Sequence, residues 1–171
     1  MDKRERQIDL ENTINKYSDF LFKTSFLMLR NKDDVEDIVQ ETFIAYIKSD
    51  MEFNDEEHKK AWLLKVAQNK CKNLLKSHKI RAYVPFDDIE EVIPGEDEEI
   101  YKEDTIEILE ISNLDYKYKS VLVLFYVEDY SIEETANILD ISVSAVKMRL
   151  KRAREKLKLE FGDKLLKGGT Y

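Results

Sequence analysis

The sequence predicts an all-α protein of two small helical domains joined by an acidic linker. Three observations carry this expectation. Apolar residues recur at three- and four-residue spacing along most of the chain, the periodicity of helices with one buried face. Four Gly and two Pro leave little turn chemistry for a sheet protein. Finally, Phe86 to Glu110 gathers twelve acids against one base, Lys102. That stretch alone carries net −11 in a chain of net −8, so everything outside it balances at +3. A hydrophobic content of 43% in 171 residues is enough to build cores, which excludes a disordered chain, although two small modules each have a thin core.

The elements follow in order. Leu10 to Leu29 has helical spacing, and Asn31 breaks it. Asp33 or Asp34 is a natural N-cap for a second helix to about Lys48. The polar run 49–57 predicts a loop, and a third helix is expected from about His58 to Lys79. Pro85 ends that pattern, and Pro94-Gly95 lies near the middle of the acidic stretch, which reads as a tether with a helix at its end. The helical pattern returns at Asp115. Ser131 and Glu134 have capping-box spacing, Ser142 is a further N-cap, and Gly162 with Gly168-Gly169 closes a frayed tail. The expected domains are 1–84 and 113–171, with 85–112 as linker.

One cysteine, Cys71, excludes an intramolecular disulfide and fits a reducing compartment. The start, MDKRERQIDLENT, has no apolar signal core, and no run approaches the roughly 18 apolar residues of a spanning helix. A cytoplasmic protein without membrane insertion is expected. His58 and His78 have no ligand-spaced companions, and no catalytic constellation is visible. Neither a metal, a cofactor nor an enzymatic activity is expected.

Between Ile141 and Leu159 stand seven Lys or Arg and one acid, Glu155, against the acidic background of the chain. A capped helix, a tight turn and a basic second helix form the layout of a helix-turn-helix, whose second helix enters the DNA major groove. On a helical projection Val143, Val146, Leu150, Ala153 and Leu157 form its core stripe. Ser144, Lys147, Met148 and Lys151 lie opposite, with Arg149, Arg152 and Arg154 nearer the rims. Lys147, Lys151 and Arg152 can donate to guanine edges, whereas Arg149 and Arg154 suit phosphates. Met148 is either a singly exposed apolar residue or a contact for a thymine methyl.

The third helix carries a second basic face. Leu63, Leu64, Ala67, Cys71, Leu74 and Leu75 form its buried side. Lys65, Gln68, Asn69, Lys72, Asn73, Lys76 and Lys79 share the outer side, with Trp62 at the edge. Lys interleaved with Asn and an aromatic suits a strand's phosphates and unstacked bases. Trp62 reads first as a boundary packing residue and only second as a base contact. In the second helix, Val35, Val39, Thr42, Phe43, Tyr46 and Ile47 are expected in the core. Asp37, Gln40, Glu41 and Ile44 share the other face, which suits a basic protein partner.

DVEDIVQETFIAYIK, AWLLKVAQNKCKNLLKSHK and YKSVLVLFYVEDYSIEETANILDISVSAVKMRLKRAREKL, in this order, resemble the bacterial sigma-70 family, specifically its small extracytoplasmic-function (ECF) members. The resemblance covers nearly the whole chain. It implies a region-2-like helical bundle and a region-4-like helix-turn-helix, acting as a dissociable initiation subunit of RNA polymerase. By resemblance, Asp37, Gln40, Glu41 and Ile44 face the clamp of the large polymerase subunit. Trp62, Lys65, Asn69, Lys72, Asn73 and Lys76 meet the −10 element, with Phe53 and Asn54 near a flipped base. Ser142, Ser144, Lys147, Met148, Arg149, Lys151, Arg152 and Arg154 meet the −35 element. The implied partners are core RNA polymerase, through its clamp and flap region, promoter DNA, and an anti-sigma factor that can hold the chain near a membrane. The acidic linker would thread the polymerase interior. Asp140 stands where the family usually has Gly in the turn, and Asp tolerates a left-handed backbone better than most residues.

Two rival readings leave residues of this sequence unexplained or lack the residues they need. A stand-alone helix-turn-helix repressor or activator explains Ser131 to Leu159 but gives the Asn-bearing helix and Ile44 no role. A small DNA-processing enzyme lacks a carboxylate cluster, a Ser-His pair or a ligand-spaced His and Cys set.

Overall fold

A computed structural model describes residues 2–79 and 102–162, and every regular element among them is a helix. Most of the acidic stretch, including Pro94-Gly95, and the Gly168-Gly169 tail lie outside the described residues. The chain divides into two compact units, Met1–Ala82 and Tyr83–Tyr171.

The first unit is a three-helix bundle of α1 (Lys3–Leu29), α2 (Lys32–Lys48) and α3 (Glu56–Lys79), each packed on the other two. Helix α1 starts a full two turns before the expected Leu10. Asp2 and Glu5 close a capping box there, with the Glu5 carboxylate accepting from the Asp2 N–H at 2.9 Å. Arg30 ends α1 in the left-handed region, at φ 58°. The N-cap of α2 is Asn31, not Asp33 or Asp34: its side-chain oxygen accepts from the Asp34 N–H at 3.0 Å. The two aspartates instead occupy the first turn, where negative charge meets the positive end of the helix dipole. Asp55 serves α3 in the same way, accepting from the His58 N–H at 2.7 Å, so α3 begins two residues before His58.

The core of this unit is Leu21, Met28, Val35, Ile38, Phe43, Leu63, Leu64, Ala67 and Cys71. Burial pushes the Cys71 thiol up to about 12, which makes it inert as a nucleophile. Two expected facings are corrected. In α2, Ile38 is buried and Ile47 is 45% exposed, because Ile38 flanks the Val35–Thr42 seam while Ile47 is rotated toward Gln40 and Ile44. In α3, Gln68 is fully buried. It follows Leu64 by four residues and precedes Cys71 by three, so its angle places it on the apolar stripe despite its polar head.

The second unit contains α4 (Lys102–Ile111), α5 (Tyr116–Leu122), α6 (Ile132–Leu139) and α7 (Val143–Phe161). Helix α4 falls inside the span 85–112 expected to be linker. Its Ile108 and Leu109 are buried, and it packs on the Val123–Val127 segment, so this unit's core reaches back into that span. Val123–Val127 continues α5 as a wide π-turn, with the Glu128 N–H donating to the Val123 carbonyl at 2.9 Å. Asp129, at φ 57°, then ends the helical run.

Helices α6 and α7 pack on each other, and α7 also packs on α5. Ser131 caps α6 through the expected box: Ser131 Oγ accepts from the Glu134 N–H at 3.1 Å, and Glu134 Oε2 accepts from the Ser131 N–H at 2.8 Å. Asp140 takes the left-handed conformation, φ 54° and ψ 50°, and the Ile141 N–H returns to the Ala136 carbonyl at 3.0 Å. That is a Schellman-type stop, and it turns the chain into α7 within three residues. Ser142 caps α7 by accepting from the Ala145 N–H at 3.0 Å. Val146, Leu150, Ala153 and Leu157 form the buried stripe of α7, whereas Val143, in its first turn, is 36% exposed.

Candidate nucleic-acid interface

In the second unit the helix-turn-helix presents the N-terminal half of α7. Ser142, Ser144 and Lys147 are exposed there. Met148, Arg149, Lys151, Arg152 and Arg154 are half-buried, so the methionine is not the fully outward residue expected from the projection. Ser142 is committed as a cap, its Oγ taking up the Ala145 N–H. Arg154 is held by the fold: its Nη1 donates to the Tyr126 hydroxyl at 2.7 Å, fixing the guanidinium against the π-turn.

In the first unit, α3 carries the Asn-bearing face. Asn69, Asn73 and Lys76 are exposed, with Lys65 and Lys72 half-buried beside them. Not every base of this helix belongs to that face. Lys59 Nζ lies 2.9 Å from Asp9 Oδ1 and 3.6 Å from Glu56 Oε1, with only 12% of its side chain exposed. Lys70 turns to Glu41 at 3.1 Å, and Lys60 lies 4.4 Å from the centre of the Phe20 ring. Outward positive charge is thereby concentrated toward the C-terminal two-thirds of the helix, next to the asparagines.

At the other end of that face the loop 49–55 brings a group of rings together. Phe53 lies 6.0 Å from Tyr46, 5.7 Å from Trp62 and 5.4 Å from His58, and Tyr46 lies 6.2 Å from Trp62. Phe53 and Trp62 are half-buried, and Asn54 beside them is exposed. The Asn54 N–H donates to His58 Nδ1 at 3.3 Å. Tyr46 and His58 are not among the site residues expected from the sequence, which reads Tyr46 as core and His58 as a histidine without ligand-spaced companions. Tyr46 follows the core periodicity of α2 and His58 lacks metal-spaced companions, so the only available signal was the local density of aromatic residues around Phe53.

Asp37, Gln40 and Glu41 are exposed on α2, and Ile44 is 47% exposed among them. The exposed Ile47 adjoins Ile44 one turn on, which widens the apolar centre of this acidic face.

Below these surfaces a polar knot ties the three helices. Tyr46 donates its hydroxyl proton to Asp9, which also accepts from Lys59. Burial would raise the Asp9 carboxyl, but the Tyr46 and Lys59 hydrogen bonds outweigh it and hold the group below its ordinary value. Glu56 accepts from Lys16 and from the Tyr17 hydroxyl, each at 2.7 Å, and these bonds pull it down to about 2. Among the described residues no His, Cys, Asp or Glu group is arranged to hold a metal ion, and no helix is long and apolar enough to cross a membrane.

Comparison with known proteins finds both units in one family. A model of sigma-70 region 2 matches residues 13–80, and one of sigma-70 region 4 matches residues 108–157. The chain is 32% identical over 168 residues to the ECF RNA polymerase sigma factor SigW of Bacillus subtilis, covering 88% of this chain and 87% of that protein. It is 27% identical over 151 residues to the RNA polymerase sigma factor SigV of the same organism, covering 88% and 90%. Among solved structures, the sigma factor RpoE in its complex with the anti-sigma factor NepR from Bartonella quintana shares the fold. Its TM-score is 0.61 at 21% identity, over 90% of this chain and 98% of that one. A lone helix-turn-helix repressor does not account for a region 2 and a region 4 in one chain. The chain belongs to the sigma-70 family, among its extracytoplasmic-function members, and is a sigma factor that directs promoter-specific transcription.

Proposed function

We propose that this sigma factor binds core RNA polymerase through the α2 face, meets the −10 element with α3 and the loop 49–55, and meets the −35 element with α7. The observation that carries the proposal is the pairing of two chemically different surfaces on two separate units. One offers exposed Asn69 and Asn73 beside lysines and rings, which suits an unstacked strand. The other is a capped helix-turn-helix whose second helix has a basic N-terminal half, with Lys147 exposed and Arg149, Lys151 and Arg152 half-buried beside it, which suits a duplex groove.

Asp37, Gln40, Glu41 and Ile44 form the polymerase-facing patch, with the clamp of the large subunit as its partner. The second unit would use the flap region. Phe53, Asn54, Trp62, Lys65, Asn69, Lys72, Asn73 and Lys76 meet the −10 strand. Ser142, Ser144, Lys147, Met148, Arg149, Lys151, Arg152 and Arg154 meet the −35 duplex. Of these, Arg154 is best suited to a phosphate, because Tyr126 fixes its guanidinium. On this reading, region 2 lies within 1–84, and region 4 takes in α4 together with the expected 113–171. The nucleotide chemistry belongs to the polymerase, and the chain supplies none. The protein works in the cytoplasm, and an anti-sigma factor covers it when it is inactive, as NepR accompanies the similar RpoE.

The test is core binding by the double variant Gln40→Ala with Glu41→Ala. Its affinity for core polymerase is expected to fall by about tenfold or more, while binding of the −35 duplex by the second unit in the same full-length chain is retained. Unchanged core affinity would remove α2 from the polymerase interface.

A further inference from the structure

We propose that Asp9 and Lys59, assisted by Arg6, are positioning residues that set the ring cluster of Tyr46, Phe53 and Trp62 for an incoming unstacked base. The inference rests on the reading that this cluster meets the −10 strand, and it concerns residues outside that contact surface.

The geometry is specific. Asp9 lies in α1, Tyr46 near the end of α2 and Lys59 in the first turns of α3, and the one carboxylate binds both of the others. Lys59 Nζ also sits 5.8 Å from the centre of the Tyr46 ring, so the ring is held at its hydroxyl and over its face. Tyr46 in turn packs against Phe53 and Trp62. Arg6, one turn before Asp9, donates through Nη2 to the Ile47 carbonyl at 2.8 Å and the Ser49 carbonyl at 3.3 Å. Ile47 lies in the last turn of α2 and Ser49 opens the loop that carries Phe53 and Asn54. The loop is thus fastened at its start by Arg6, at its centre through Tyr46, and at its far end by the Asp55 cap of α3.

Stability alone is a weak reason for such a knot. Withdrawing a carboxylate and an ammonium from water costs about as much as their attraction returns, and apolar replacements of similar volume often do as well. Fixed direction is what apolar packing does not provide. A stacking platform needs its rings at a set angle and spacing before the base arrives, since ordering them on binding would weaken it.

The experiment uses the full-length chain and its holoenzyme with core RNA polymerase. Trp62 is the only tryptophan, so its emission reports on the cluster directly. Asp9→Asn and Tyr46→Phe each cut one end of the brace, and Tyr46→Phe keeps the ring should Asp9→Asn fold poorly. Each is expected to shift Trp62 emission to longer wavelength and increase its quenching by acrylamide, with helix content retained. The strand probe is single-stranded DNA selected by the wild-type holoenzyme from a random pool. Each variant should lose about tenfold in affinity for it, with core affinity unchanged, the double variant no worse than either single one, and Asp9→Glu partly restored. Unchanged Trp62 emission in both single variants, or additive losses that Asp9→Glu does not restore, would overturn the brace. If Trp62→Ala leaves strand affinity intact, the −10 reading fails instead, and the emission of the Asp9 and Tyr46 variants still decides the brace.

Discussion

At the scale of single residues, the polar knot makes the clearest prediction. Lys16 and Tyr17 hold Glu56 at about 2, against an ordinary value of 4.5. A carboxylate depressed in this way stabilises the folded state above its ordinary value and loses that contribution as pH falls through the folded one. The first unit should therefore lose stability between about pH 4.5 and about pH 2, with Asp9, also depressed, adding to the loss. Glu56 is half exposed, so water screens much of the interaction and the effect is modest. Thermal melts across that window should show a steeper fall for the wild type than for Glu56→Gln. Parallel curves would mean that Lys16 and Tyr17 contribute nothing through this carboxylate.

At the scale of elements, the turn between α6 and α7 bears a cost that the sequence announced. Asp140 stands at φ 54°, where a Cβ is strained and glycine is not. Asp140→Gly should stabilise the second unit by about 0.5–1 kcal/mol, and Asp140→Val should destabilise it by at least as much. Thermal or urea unfolding checks both, and a destabilised glycine variant would show that the aspartate side chain itself contributes to the turn. This element was legible because caps are local. Ser131, Glu134, Asp140 and Ser142 act on backbone groups within five residues, and their order in the sequence is enough to place them. Facing was less legible, because polarity and angle disagree at particular positions. Gln68 has a polar head at a buried angle, and Ile47 has an apolar body at an exposed one. In both, the angle around the helix decided the outcome. The start of α1 was missed for a different reason: Lys3 to Ile8 are exposed and give no apolar period, and the Asp2–Glu5 box is the only signal. The ring cluster and its brace were not legible either. Asp9, Tyr46 and Lys59 lie on three helices, and no spacing along one chain segment predicts their meeting.

At the scale of the whole molecule, charge is arranged by segment. The net −8 arises from the acidic stretch, while the faces proposed to meet DNA are basic. Long-range repulsion from that stretch opposes the phosphates, so the free chain should bind duplex DNA weakly, and its grip on a promoter should depend on the polymerase. A dissociable subunit gains from this arrangement, since it does not occupy promoters alone. The stand-alone regulator makes the opposite prediction. The measurement that separates them is run-off transcription from a promoter template with core RNA polymerase, with and without this chain, alongside duplex binding by the chain alone at the same salt concentration. A sigma factor of this charge arrangement gives a transcript that requires both core and chain, with weak duplex binding by the chain alone. Tight, promoter-specific binding without polymerase, and no transcript gained with it, would contradict that expectation.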